Sequence, residues 1–308
     1  MRIAVIGAGG VGGYFGGRLA QAGSDVTFIA RGATLEALRA GGLRVDSVLG
    51  DYVVSPVNAT DDPRSVGLVD AILMAVKAWQ IPEAAVQITP MLGEDTMVVP
   101  LENGIDAPEV LAGIVGEQHV VGGLCAIVSF SVAPGHIRHA ASEPIVMFGE
   151  LDNRRSERVE RLRVAFAEAG VHVEVPPDIR RSLWSKFLFI ATLSGIGALT
   201  RVAVGVWRAD EEIRALADRS LREVLQLAIA RGIDLGDDAI ERTWLRYDGL
   251  APESTSSMQR DIMEGKPSEL EAQLGAIVRL ARESGVDVPV TAMIYHALVP
   301  QERRARGL

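Results

Sequence analysis

The sequence predicts an α/β first half followed by an all-helical second half. Three observations carry that reading. Up to about residue 175, short apolar, β-branched runs alternate with amphipathic segments, the pattern of parallel strands joined by helices. The first of those runs, residues 2–6, opens directly onto a cluster of glycines. Past Pro176, Pro177 and Asp178 the β signal fades and helical periodicity takes over. The boundary therefore falls there, with a first domain over residues 1–177 and a second over residues 178–308.

Residues 2–6, Arg-Ile-Ala-Val-Ile, read as a buried strand, and Gly7, Gly9 and Gly12 follow on a G-x-G-x-x-G spacing where a helix should open. The spacing alone is weak evidence, because glycine also serves ordinary turns; the strand before it and the amphipathic segment after it supply the required context. Gly7 permits a tight turn, Gly9 lets a pyrophosphate approach the backbone, and Gly12 lets the helix pack against the strand. The anion would rest on the helix start, over Gly7, Ala8, Gly9, Gly10, Val11 and Gly12. This predicts a Rossmann-type dinucleotide-binding domain.

The helix runs on through residues 18–22 to Gly23, and residues 25–30 form the second strand. NAD-specific sites place a carboxylate about 20 residues past the glycines, whereas an arginine there suits a 2′-phosphate. Here the strand ends on Arg31, so NADP(H) is favoured; an exposed, merely solubilising arginine is the competing reading. Residues 69–76 make a further strand ended by Lys77, Pro82 suits the first turn of a helix, and residues 96–101 make a strand ended by Asn103. Ligands in an open parallel sheet bind beyond the carboxyl ends of the strands, which puts Lys77 and Asn103 at the edge of the glycine loop. Against that, Lys77 is also explained as a solvated cation and Asn103 as an Asn-Gly turn. Residues 119–130 and 137–148 read as strands that extend the same sheet across a turn at residues 133–136. His136 and His139 beside that turn read as packing or surface histidines without a partner acid. A helix over residues 156–169 and a strand over 171–175 close the first half.

The second half opens with a helix capped by Asp178 and passing Trp184 and Lys186 into an apolar segment ending near Thr200. Lys186 is the only charge between Trp184 and Thr200, and helical spacing puts Lys186, Ile190 and Ser194 on one face. An ammonium among apolar side chains is disfavoured, which readies it to give up a proton as a general acid; a lysine snorkelling to the surface is the plainer alternative. Asp210 caps a long helix closed by Gly232, and helices are expected over residues 253–264, 267–284 and 289–298. Arg303, Arg304 and Arg306 read as a solvated tail.

Composition narrows the function class. With 308 residues, 48% hydrophobic and 23% charged, the chain is of ordinary globular make-up. A formal net charge of −9 argues against a nucleic-acid partner, so an anionic ligand must be held by local cations. The single cysteine, Cys125, excludes an internal disulfide or a multi-cysteine metal site and suits a reducing cytoplasm. The N-terminus reads as a first strand, not a signal peptide, and the apolar run 187–200 is too short for a bilayer, so a cytoplasmic protein without a membrane partner is expected.

Taken together, the glycine loop, Arg31, Val76-Lys77-Ala78-Trp79-Gln80, Glu102-Asn103-Gly104, Leu183-Trp184-Ser185-Lys186, Ser256-Ser257-Met258-Gln259-Arg260-Asp261 and Ser268-Glu269-Leu270 resemble, in that order and nearly end to end, ketopantoate reductase, the NADPH-dependent 2-dehydropantoate 2-reductase family. The resemblance implies that NADPH and a small-molecule 2-oxo acid meet in a cleft between the two domains. It implies Lys186 as proton donor, Asn103 touching cofactor and substrate, Lys77 supporting the cofactor, Ser257 binding substrate and Glu269 at the cofactor end. It also implies 2-dehydropantoate reduction to pantoate, a step of pantothenate biosynthesis. Family members usually carry Asn four and eight residues after that lysine and a third about ten residues on, where this chain has Ile190, Ser194 and Val204. Losing hydrogen-bonding amides weakens selection for a hydroxylated substrate, so a relative acting on a more apolar 2-oxo acid stays open; a non-catalytic NADPH-binding protein that kept the fold is a separate alternative. A helical second domain suggests a homodimer.

Overall fold

The computed structural model describes residues 1–308, residue 142 by its backbone alone, and the chain divides into two compact units, Met1–Glu102 with Ala107–Ile179, and Asn103–Asp106 with Arg180–Leu308. The first unit holds ten strands: β1 (Arg2–Ile6), β2 (Asp25–Ile29), β3 (Leu43–Ser47), β4 (Tyr52–Val54), β5 (Asn58–Thr60), β6 (Val69–Met74), β7 (Leu92–Pro100), β8 (Val121–Ala133), β9 (His136–Glu150) and β10 (His172–Glu174). Its helices are α1 (Gly10–Gln21), α2 (Gly32–Gly41), α3 (Ile81–Ile88), α4 (Ala107–Val115) and α5 (Glu157–Glu168).

The first sheet runs β5-β2-β1-β6-β7 with every pairing parallel. Both of its faces are covered, and this is why the central strands β1 and β6 read as nearly continuous apolar runs instead of alternating ones. Along β1, Ile3 and Val5 pack with Phe15 and Leu19 of α1, while Ala4 and Ile6 pack with Ile81 and Ile88 of α3 and Leu111 of α4. This is the α/β, Rossmann-type sheet that the sequence predicts.

The strands over 119–130 and 137–148 depart from expectation. They form β8 and β9, an antiparallel hairpin that does not extend the first sheet but belongs to a second one, ordered β10-β9-β3-β4 with β8 paired to β9. The bridge Val98 to Val120, with the His119 ring bonded to the Thr96 carbonyl at 3.0 Å, joins β7 to the start of the hairpin. Beyond it, β3 pairs parallel to β9 from Arg44 opposite His136, and β4 turns back on β3. Strands β3 and β4 escape sequence reading because they bury only Leu43, Val45 and Tyr52, too few to show a period. Arg158 locks α5 to the end of β9 with a two-pronged bond to Glu150, 2.7 Å on each oxygen. Ser156 caps α5 by accepting from the Val159 N–H and donates its hydroxyl proton to Glu150 at 2.7 Å.

The second unit is helical, as predicted: α6 (Ile179–Thr200, reached from the first unit), α7 (Val204–Ala209), α8 (Glu211–Ala230), α9 (Ala239–Asp248), α10 (Ser257–Met263), a π-helical turn (Glu271–Gly275), α11 (Ala276–Ser284) and α12 (Pro289–Ala305). Helix α6 is longer than the apolar run suggests, and by length and hydropathy it could cross a membrane; 67% of its apolar window is buried inside the protein. Asp210 caps α8 through the N–H groups of Glu212 and Ile213, as its position implies. Around α6 the core gathers Trp207, Tyr247, Leu221 and Leu274, with Tyr247 stacked on Phe189 at 5.0 Å and donating its hydroxyl to the Phe189 carbonyl at 2.7 Å. The expected helix over 253–264 starts only at Ser257, because Ser256 is its cap and accepts from the Gln259 N–H. Helix α12 runs past 298 through Pro300 to Ala305, so the basic run is helical; Arg303 and Arg304 are exposed as expected, whereas Arg306, at the C-cap, is half-buried.

Candidate active site

The glycine loop shows a separate physical reason at each position. Gly7 sits at φ +95°, a conformation L side chains rarely adopt, and it turns the chain out of β1. A Cβ on Gly12 would stand 2.0 Å from the Gly7 carbonyl oxygen and 3.0 Å from Val5, so helix and strand touch only because none is there. Gly10 is confined by the protein itself: a Cβ there would meet the Ser129 oxygen of β8 at 2.5 Å. Gly9 is different. Exposed and at ordinary φ −82°, it faces open space within 4 Å of where its Cβ would lie. The first helical bond runs from the Gly13 N–H to the Gly9 oxygen at 2.7 Å, so the N–H groups of Gly10, Val11 and Gly12 precede the helical ladder, with Ala8 buried behind them. An exposed backbone cradle at the start of a 12-residue helix fits the pyrophosphate of a dinucleotide.

Along the same sheet edge, the loops after β2 and β6 flank the one after β1. Arg31 follows β2 and caps α2 by position, but its guanidinium is already engaged. It donates to Glu83 at 3.1 Å and to Gln87 at 2.7 Å, both on α3, and the Arg31 and Glu83 side chains are more than half exposed. Lys77, half-buried after β6, starts a 3₁₀ turn in which its N–H donates to the Gln80 side chain at 3.1 Å, and its ammonium lies 5.8 Å from the centre of the Trp79 ring. Gly7 to Gly12, Arg31 and Lys77 thus share one edge.

In the second unit, Lys186 and Ile190 are half-buried and Ser194 is fully buried along one stripe of α6. Its hydroxyl and both ends of the buried Gln273 amide have no hydrogen-bond partner among the described residues. Ser257 is the half-buried first residue of α10, next to the buried cap Ser256. Asn103 lies in the bend after β7 and clusters with the second unit. Glu269 is buried just before the π-helical turn, and Val204, buried at the start of α7, is core.

Besides the pairing of Arg31, sequence reasoning missed two further partnerships. His136 does have a partner acid: its Nε2 lies 2.8 Å from Asp46 on β3, whose carboxyl titrates low because Arg44 and His136 both bond it. The pair lies on the second sheet, where it pins β9 to β3; His139, buried beside Ser47 at 2.9 Å, packs as expected. The other partnership is that of Ser268 with Glu302 and Arg306, whose residues stand 34 and 38 positions from it. Cys125 is a buried free thiol, and among the described residues no His, Cys, Asp or Glu group could hold a metal ion.

Comparison with known proteins decides the family. Residues 3–153 match Ketopantoate reductase PanE/ApbA and residues 178–302 match Ketopantoate reductase PanE/ApbA C terminal. The chain belongs to the ketopantoate reductase family. It is similar to the 2-dehydropantoate 2-reductase of Mesorhizobium japonicum, 32% identical with 92% of each chain covered. It is similar also to the uncharacterized oxidoreductase YkpB of Bacillus subtilis, 30% identical over 96% of this chain and 97% of the relative. Among solved structures, a PanE/ApbA family ketopantoate reductase from Ralstonia eutropha JMP134 matches with a TM-score of 0.89 at 30% identity, over 99% of this chain and all of that one. Ketopantoate reductases are oxidoreductases that use a nicotinamide dinucleotide, and the glycine cradle described above fits that cofactor.

Proposed function

We propose that this ketopantoate reductase family member reduces a 2-oxo acid to the 2-hydroxy acid with NADPH, and that 2-dehydropantoate is its substrate and pantoate its product. The observation that carries the reading is Lys186, the lone charge in 19 residues of α6 from Ser182 to Thr200, half-buried among apolar neighbours. The relatives' activity supports the substrate. Arg31 at the end of β2 supports the phosphorylated cofactor, with the dinucleotide held by residues 1–177 and the acid by residues 178–308.

When bound, the nicotinamide dinucleotide would supply the hydride that reduces the carbonyl carbon. Lys186 neutralises the charge that grows on the carbonyl oxygen and delivers the proton that completes the alcohol. Asn103 and the Ser257 hydroxyl orient the acid, Lys77 and the glycine loop hold the cofactor, and Glu269 balances the lysine charge. In this role, Lys186→Ala lowers turnover by about a hundredfold or more while NADPH still binds; near-normal turnover in an assay of NADPH consumption refutes it.

Ile190 favours a second reading. It is half-buried on the Lys186 stripe and offers no hydrogen bond to a substrate hydroxyl, which weakens discrimination for a hydroxylated acid. Rates with 2-dehydropantoate and with an unhydroxylated branched 2-oxo acid separate the two. NADPH that binds but is consumed with neither acid points to the non-catalytic alternative.

A further inference from the structure

We propose that Glu302 and Arg306, on the last turn of the chain, are positioning residues for Glu269; the inference rests on Glu269 belonging to the active site as proposed above. Ser268, the residue before it, is fully buried and uses every polar group it has on this pair. Its N–H donates to both Glu302 carboxylate oxygens at 3.1 Å and its hydroxyl donates to one of them at 2.6 Å. Its carbonyl accepts from Arg306 at 2.9 Å, and Arg306 closes the ring by donating to Glu302 at 2.6 Å. The same hydroxyl accepts from the Leu270 N–H at 3.3 Å, and the Gln273 N–H donates to the Glu269 carbonyl at 3.0 Å. The backbone is therefore held immediately before and immediately after Glu269.

A surface tail would not need a carboxylate that is 3% exposed. Burying that charge is costly unless it is paired and hydrogen-bonded, and Arg306 with Ser268 meets both conditions. The π-helical turn that starts at Glu271 widens the backbone at the same place, a feature that often accompanies a functional side chain. Because Ser268 has no freedom left, the direction in which the Glu269 side chain leaves the backbone follows from α12.

A double-mutant cycle tests this with the full-length enzyme, NADPH and 2-dehydropantoate. Removal of residues 306–308 should lower kcat/KM by about tenfold, in the same parameter and on the same limb of the pH profile as Glu269→Ala, and should add nothing in the Glu269→Ala background. Arg306→Lys, which keeps the charge, should restore most of the loss. Ser268→Ala serves as the independent variant should the shortened chain fold poorly, since it removes one hydroxyl and leaves the ion pair in place. Tyr247→Phe, a core change in the same unit, should lower the melting temperature without reproducing the kinetic pattern. Additive effects of the truncation or of Ser268→Ala with Glu269→Ala overturn the proposal, as does kcat/KM within about twofold of wild type in both. A normal Glu269→Ala enzyme instead removes Glu269 from the active site, and the positioning role goes with it.

Discussion

Arg31, proposed above to read a 2′-phosphate, is already paired. Its guanidinium lies between Glu83 and Gln87 of α3, so a 2′-phosphate has to displace a carboxylate and then tolerate it as a neighbour. Exposed pairs of this kind are weak, so the competition is modest, and Glu83→Gln should tighten binding of 2′,5′-ADP by roughly two- to fivefold while leaving 5′-AMP unchanged. Equal changes for both nucleotides in a titration would show that Glu83 has no part in reading the phosphate. At the glycine loop, two adjacent residues should separate stability from binding. Gly10→Ala has to push β8 away from α1, at a cost of about 1–3 kcal/mol, and should lower the melting temperature of the free protein by several degrees. Gly9→Ala has room for its methyl group and an ordinary backbone conformation, so the free protein should melt as before and lose affinity for the dinucleotide. The G-x-G-x-x-G spacing announces the turn at Gly7 and the tight packing at Gly12. It says nothing of β8 above Gly10, because that strand lies more than a hundred residues away in the chain.

Among the elements, the joint between β9 and α5 carries the clearest pH dependence. Burial pushes the Glu150 carboxyl up, but the Arg158 fork, the Ser156 hydroxyl and the nearby charges of Arg158 and Arg154 outweigh it, and the group titrates below the ordinary 4.5. A carboxylate with a lowered native value adds stability that is complete above 4.5 and is lost as the pH falls through that lowered value. The difference in melting temperature between wild type and Glu150→Gln should therefore be constant from about pH 8 to pH 6 and shrink at more acid pH. A difference that holds down to about pH 3 would contradict this account. Elements differ in how well the sequence shows them. The central strands β1 and β6 and helix α6 are plain because they are mostly buried and read as nearly unbroken apolar runs. Strands β3 to β5 and helix α7 are too short to show a period, and α9 buries Ala239, Thr243 and Tyr247 at helical spacing but two of the three are small or polar.

On the scale of the whole molecule, three buried clusters follow from two kinds of pattern, one on each face of the first sheet and one around α6. That division, the family and the edge of the sheet carrying the glycine loop were legible in the sequence, because each is written in residues close together in the chain or in blocks of fixed order. The second sheet was not, since a hairpin looks the same whether it joins one sheet or founds another. Nor were the partners of the charged residues: Glu83 for Arg31, Asp46 for His136 and Glu302 for Ser268 stand 52, 90 and 34 positions apart. Local periodicity reports only what lies within a turn or a strand, so the sequence by itself determined the α/β and helical halves and the candidate lysine. Which carboxylate each cation and hydroxyl meets was decided by tertiary packing alone, because only the folded chain brings distant side chains within reach of a hydrogen bond.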